Sequence, residues 1–540
     1  MRTPPVLLWD DLDGKRELLA VLLPCSRRRA SHPAAEAAPP APFAASVQVY
    51  RRGRLVRVKA PAYRFRDTGI FLSSSESKII VASASDVISN WVSAISFEDL
   101  PADVVASTRL RILDVIGLSI AGGETSFGKS VRASATAWPG TAARLWGTDA
   151  TASAVGAAFV NGACSQALEY DDTHNESVVH MSSPAVAAAL ALADETRASG
   201  KDVVTAIALG NEISCRVGSV TPQQFHKRGF HPSGLFAPFG VCWLAGHLLG
   251  LDAGQMSKAA GITGSFAAGL IQCWVDGTQS KFLHPGWAAQ SGIAAAILGK
   301  NGVTGPGEVF EGRFGLFASH LQNAEPEPNF ARLTRDLGTF WDSQASSFKP
   351  FPVAHVIHPY IDALLRLRER HGLTPETVDK IVVPVAPFIV PIVCEPVEEK
   401  RRPNTDSHGR VSIQYTLAEA LALGRIGKDA YAERSLRDPV ILALADRVEF
   451  VVDPAMPGSE QFKGVVEVFA RDGGHWIEVE EYNHGSPQNP MTDADIEAKF
   501  RENVGGVLSD EQAKRVVAAV MGIETMSDAS ALGTLLVRHG

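Results

Sequence analysis

The chain has 540 residues, 45% hydrophobic and 20% charged, enough for two or three globular domains with sizeable cores. A formal net charge of −8 argues against a general nucleic-acid binder, which needs a basic surface to displace counterions, but allows a local cationic pocket. The six cysteines (Cys25, Cys164, Cys215, Cys242, Cys273, Cys394) show no Cys-x-x-Cys pair and no zinc spacing. This predicts buried free thiols in a reducing, cytoplasmic setting rather than a disulfide framework.

Residues 1–81 read as a basic, low-complexity extension. Up to Arg66 there are thirteen Lys and Arg against five Asp and Glu, so the remainder carries sixteen net negative charges. Arg27 to Ala45 is rich in Arg, Ala and Pro without periodicity, which predicts disorder. Its Arg content resembles a targeting peptide, whereas Asp10, Asp11, Asp13 and Glu17 count against one. An extension without function is the alternative.

Organised sequence starts near Ala82. Asp86 can cap a helix that carries Val87, Ile88, Trp91, Val92 and Ile95 on one face. Pro101 opens a second helix and Gly122-Gly123 ends it. Ala152 to Leu298 is dense in Ala, Gly, Leu and Val at helical spacing, which predicts closely packed helices. Within it, Gly234 to Leu251 approaches the ~20 residues of a membrane span, but His247 interrupts the run, so it is read as a buried helix.

After about residue 345 the texture changes. Lys380–Val385 and Arg447–Val452 read as strands, and Tyr415–Leu423 and Asp429–Leu436 as helices. Gly464–Ala470 and His475–Glu481, joined by Arg471-Asp472-Gly473-Gly474, read as a hairpin. From Thr492 helices return, and Ser509 with Gln512 forms a capping box. The expected organisation is mainly α with an α+β second domain. An all-helical domain spans 82–345 and is completed by 486–540, with a smaller α+β lid at 346–485 between them.

Gly305-Pro306-Gly307 has no preceding strand to make it a phosphate loop, and neither Gly-x-Ser-x-Gly nor His-Glu-x-x-His occurs. The informative stretch is Leu168 to His180, with four carboxylates and two histidines at a helix-to-helix junction. Such polar density inside an apolar domain costs desolvation energy and points to function. A solvated capping loop is the plainer reading. A metal site from Asp171, His174 and His180 would lack a second ligand cluster.

The acidic-Tyr-Asp-Asp-Thr-His stretch from Glu169 resembles a motif of the MmgE/PrpD family, which includes 2-methylcitrate dehydratase, cis-aconitate decarboxylase and iminodisuccinate epimerase. Five later stretches resemble that family's elements in order. They are Gly229-Phe230-His231, Gly277-Thr278 through Lys281 and His284 to Gly286, and Lys349-Pro350-Phe351-Pro352 with His358. Ser412-Ile413-Gln414-Tyr415 and Gly485-Ser486-Pro487-Gln488-Asn489-Pro490-Met491-Thr492 complete the set. The likeness runs from about residue 82 onward.

The resemblance implies an enzyme without cofactor or metal, a homodimer with a pocket between its domains, and a small di- or tricarboxylate as substrate. No nucleic acid or membrane partner is implied. Bond making beside a carboxylate builds charge on its oxygens, so fixed cations, hydrogen-bond donors and a proton carrier are needed. The expected catalytic set is His180, His231, Lys281, Tyr415, Glu169 and Thr173. Lys349, Asp171, Asp172, His284 and His358 are expected to bind substrate or orient the others. The primary expectation is a hydro-lyase that dehydrates a 2-methylcitrate-like acid. Epimerisation or decarboxylation in the same pocket and non-catalytic carboxylate binding are the alternatives. Three departures bear on substrate: Glu169 stands where cis-aconitate decarboxylases have Asp, Trp287 where a polar residue often follows, and Val353-Ala354-His355 where a Cys-Cys pair is common.

Overall fold

The computed structural model describes residues 6–12, 15–22, 46–51, 54–59, 80–322, 326–458 and 461–538. Cys25 and the stretch Arg27–Ala45, expected to be disordered, lie outside the described residues. The chain divides into two compact units, residues 1–87 and 88–540.

In the first unit, β1 (Val6–Leu12), β2 (Lys15–Leu22), β3 (Ser46–Arg51) and β4 (Arg54–Lys59) form an antiparallel meander. Leu12 pairs with Lys15 and Arg51 with Arg54, and the short β5 (Ile80–Val81) lies beside β1. Composition alone predicts no regular structure here. Short runs such as Val47-Gln48-Val49-Tyr50 carry a β-branched, period-two signal that bulk composition averages away.

The helix α1 (Ala84–Ala94) begins one turn before the expected cap. Ser83 caps it, with Asp86 N–H donating to Ser83 Oγ at 3.2 Å and Ser83 N–H to the Asp86 carboxylate at 3.2 Å. Asp86 therefore closes the box rather than opening the helix.

In the second unit the helical body comprises α2 (Ala102–Gly123), α3 (Ala154–Gln166), α4 (Ser182–Thr196) and α5 (Gly200–Gly218). It continues through α6 (Pro232–Leu248), α7 (Ala253–Thr263) and α8 (His284–Lys300). The apolar α6 packs between α5 and α8, while α3 packs on α2, α4 and α8. Glycine sets these approaches: a Cβ on Gly240 would lie 2.1 Å from the Gly210 carbonyl oxygen, and one on Gly162 3.1 Å from Gly286 Cα. Among the described residues, no helix is long and apolar enough to cross a membrane. Cys164, Cys215, Cys242, Cys273 and Cys394 are all buried and unpaired.

A two-residue ladder, β6 (Thr173–His174) with β7 (Ser346–Ser347), ties the polar junction to the chain entering the α+β part. That part holds α9 (His358–His371), β8 (Val378–Val385), α10 (Ile413–Leu423), β9 (Val448–Val452), β10 (Gly464–Ala470) and β11 (His475–Glu480). The sheet order is β9-β8-β10-β11, parallel between β8 and β9 and antiparallel elsewhere. The expected hairpin is present, with Gly473 at φ +93° and Gly474 N–H bonded to Asp472 at 3.0 Å. Ile361, Ile381, Val383, Leu417 and Val468 share one core.

The helix expected over Asp429–Leu436 is reduced to one turn, Glu433–Leu436. Tyr431 instead turns left-handed at φ +63°, its N–H donating to the buried Glu419 carboxylate at 3.1 and 3.2 Å. The last helices, α11 (Asp493–Val504) and α12 (Asp510–Met521), pack on α2, and Ser509 with Gln512 forms the expected capping box. The molecule is mainly helical with a smaller α+β part, as the sequence predicts.

Candidate active site

The junction between α3 and α4 is buried from Glu169 to His174. Glu169 is 5% exposed, Asp171 0% and Asp172 1%. Its backbone is held by cations from three remote segments. Arg410 donates to Leu168 O at 3.0 Å, Lys349 to Glu169 O at 3.2 Å and Lys499 to Tyr170 O at 2.9 Å. Lys499 also pairs with buried Asp114 of α2 at 2.7 Å. Arg111, also on α2, pairs with Asp172 and donates to Ser346 Oγ at 2.5 Å. Glu169 takes a left-handed φ of +53°, a conformation disfavoured for a residue with a Cβ, so these bonds hold a strained peptide in place.

This frame aims Glu169 at a cavity of about 430 Å³. Glu169, Thr173, His180, Lys227, Lys281 and Lys349 are among its polar lining, and Trp274, Phe388, Ile392 and Phe462 supply much of the apolar remainder. Both oxygens of Glu169 lie 2.6 Å from Lys281 Nζ, and Oε2 lies 4.0 Å from Lys349 Nζ. Burial pushes the Glu169 carboxyl up, but Lys281, Lys349 and Arg410 outweigh it and hold it below the ordinary range. Burial lowers the Lys349 ammonium despite the opposing fields of Asp171 and Glu169. A larger cleft of about 900 Å³ opens beside Arg410, but its carboxylates (Asp406, Asp429, Glu433) balance its cations (Arg410, Lys428, Arg437), whereas the smaller cavity sets Lys227, Lys281 and Lys349 against Glu169 alone and is the better anion site.

His180 is the imidazole on the cavity wall nearest these charges. Its Nδ1 lies 2.8 Å from Asp172 O, 3.2 Å from Thr173 Oγ1 and 3.5 Å from Asp171 Oδ1. A carbonyl accepts only, so the proton sits on Nδ1 and Nε2 carries the lone pair. Burial, reinforced by Lys349 and Lys281, keeps the ring neutral, well below the usual histidine range. Asp171 lies behind it, accepting from Ser183 Oγ at 3.0 Å, with its carboxyl raised by burial to about 7.

The other expected residues separate into layers. His231 is buried behind His180, ring centroids 5.6 Å apart, with Nδ1 2.8 Å from His284 Nδ1. Neither His231 nor His284 lines the cavity. His358 bonds Val353 O at 3.2 Å inside the α+β part. Asp172 is spent on Arg111 and Ser182. Tyr415, expected in the pocket, lies instead in the apolar core of the α+β part, its hydroxyl buried without a partner. The helical spacing of α10 turns that face inward to the sheet. Trp287 does not reach the cavity; its indole N–H bonds Phe266 O at 3.0 Å. Among the described residues no cluster of His, Cys, Asp and Glu is arranged to hold a metal ion, and His174 turns away to Ser177 Oγ at 2.8 Å.

Two lining histidines are not among the expected site residues, although His355 forms part of a departure from the family's pattern. His226 packs on Trp274, ring centroids 5.1 Å apart, and burial lowers it to about 4. His355 accepts from Asn483 Nδ2 at 3.0 Å. His226 sits in no motif with a spacing signal, and His355 lies within the Lys349–His358 stretch without being one of its matched positions.

Residues 86–329 match the MmgE/PrpD N-terminal domain and residues 351–523 the MmgE/PrpD C-terminal domain. The chain belongs to the MmgE/PrpD family. Among its relatives is a cis-aconitate decarboxylase of Aspergillus terreus, 28% identical over 83% of this chain and 95% of that protein. The Homo sapiens cis-aconitate decarboxylase is 28% identical over 80% of this chain and 90% of its own length. A cis-aconitate decarboxylase-like protein of Aspergillus oryzae, oryM, is 25% identical over 83% and 96%. Family membership over residues 86–329 and 351–523 thus coincides with a buried cationic cavity at the motif that carries the resemblance.

Proposed function

We propose that this MmgE/PrpD protein is a lyase that cleaves a bond beside a carboxylate, using its own side chains, and that its reaction is decarboxylation of an unsaturated di- or tricarboxylate of the cis-aconitate type. The observation that carries the reading is the mixed lining of the cavity, which brings Lys281 and Lys349 together with the apolar Trp274, Phe388 and Phe462. A carboxylate retained by the substrate is anchored at the lysines. The carboxylate to be expelled faces an apolar wall, where it loses hydration and its charge is destabilised.

As the carbon–carbon bond breaks, carbon dioxide leaves and the bonding pair passes through the double bond to the carbon beside a retained carboxylate. The lysine ammonium groups stabilise the charge that spreads onto that carboxylate. The carbon then takes one proton from solvent, relayed by His180, whose Nε2 lone pair first collects it. The relatives' printed activity supports this choice over the other lyase reactions.

A second reading is supported by the tautomer of His180. With the proton on Nδ1, Nε2 is a base positioned to remove a proton next to a carboxylate, the first step in dehydrating a 2-methylcitrate-like hydroxy acid. Incubation with cis-aconitate and 2-methylcitrate in deuterated water, followed by NMR, separates the two. Carbon dioxide release with one deuteron in the product supports decarboxylation. A fold-intact His180→Asn protein that retained full rate would refute both.

A further inference from the structure

The cavity contains its own carboxylate. Glu169 is buried, lines the cavity, and spreads both oxygens over Lys281 Nζ at 2.6 Å, with Lys349 Nζ 4.0 Å away. A ligand carboxylate would be expected to take this arrangement. Lys281 is otherwise committed only to the Trp274 ring, 5.5 Å from its centroid. The facing imidazoles of His180, His226 and His355 add little charge, all held neutral primarily by burial. The lining therefore offers three ammonium groups, of Lys227, Lys281 and Lys349, and one carboxylate, a net charge of two rather than three.

We propose that Glu169 is an internal carboxylate that occupies the anion seat on Lys281 and thereby determines how much negative charge the cavity accepts, favouring a dicarboxylate over a tricarboxylate. Any ligand seeking both lysines must displace a carboxylate already bound through two contacts. A ligand content with Lys349 and the neutral donors Thr173 and His226 need not. The left-handed backbone at Glu169 and the clamp of Lys349 on its carbonyl hold the side chain to this direction, so the seat is filled by construction. The inference rests on the reading of this cavity as a carboxylate site, but not on which bond is cleaved there.

The test uses two non-reacting probes, malonate and citrate, titrated into the full chain by calorimetry at pH 7.5. Each is compared between the native protein and Glu169→Gln, which keeps the side chain's size and removes its charge. Glu169→Gln is expected to bind both anions more tightly. Because citrate carries one more charge, the citrate-to-malonate affinity ratio should rise roughly tenfold. Glu169→Asp, one methylene shorter, covers Lys281 less completely and should shift the ratio the same way by less. It serves if the Gln variant fails to fold. An unchanged or falling ratio in a variant with a native melting profile overturns the proposal. Binding is read without turnover, so an inactive native protein that shows the ratio shift would sink the lyase reading and leave this one standing.

Discussion

Replacing Lys281 with methionine strands Glu169. The two contacts of 2.6 Å correspond to a gross attraction of about 6 kcal/mol at an effective dielectric of ~20. Desolvation of both groups offsets much of it. What the substitution exposes is the cost of leaving a buried carboxylate without its main partner, about 3–5 kcal/mol. The pH dependence carries the sharper signature. In the native protein the Glu169 carboxyl is depressed, so its contribution is present above the unfolded value and disappears as pH falls through the folded one. Without Lys281 burial prevails and the carboxyl rises above the unfolded value. Its protonated form is then favoured, and stability is lost as pH rises rather than as it falls. Urea unfolding of Lys281→Met at pH 5 and pH 8 should therefore show a larger deficit at pH 8. The double variant Lys281→Met/Glu169→Gln should recover more than half of that deficit, since neither partner is left charged. A Lys281→Met protein equally destabilised at both pH values, or not rescued by the second substitution, would refute this account of the pair.

Lys499→Met should cost about 3–5 kcal/mol in urea melts by stranding Asp114, and should also lower activity by releasing Tyr170 O, although residue 499 does not line the cavity. Tyr415→Phe removes a hydroxyl with no partner and should leave turnover within about twofold and stability within ~1 kcal/mol; a large loss of turnover would return Tyr415 to the site. Asp171, raised to about 7, keeps its proton above the unfolded carboxyl range, so its contribution to stability falls as pH rises from ~4 to about 7. Asp171→Asn should flatten that slope in melts between pH 5 and 8, and an unaltered slope would count against a protonated Asp171.

The polar junction was legible in sequence because charge density inside an Ala- and Gly-rich domain is costly and visible at once. The Arg471–Gly474 hairpin was legible because its turn residues and alternating strands agree. Tyr415 packs in the α+β core rather than on the cavity, because helical spacing shows that a face is buried without showing whether it meets a cavity or a core. The one-turn remnant at Glu433–Leu436 escaped because Glu419, ten or more residues earlier in the chain, competes for the Tyr431 N–H. Of the cations at the junction, Lys349 and Lys281 carried local motif signals. Arg111 and Lys499, on helices, and Arg410, in a turn, did not, since an isolated charged residue looks like surface until the fold closes over it.

The clamp of Lys499 on Tyr170 spans 329 residues of chain. During synthesis at ~5–20 residues per second, the junction leaves the ribosome roughly 15–65 s before its last cation exists. Through that interval Asp114 lacks its Lys499 partner and the strained peptide at Glu169 lacks one of its three restraints. The helical body can collapse early, since α2, α3, α4, α5, α6 and α8 pack on one another. The pocket cannot be finished until α11 arrives, so the nascent chain carries a folded body without a working centre, and a ribosome stalled short of residue 499 would display a stable but inactive protein.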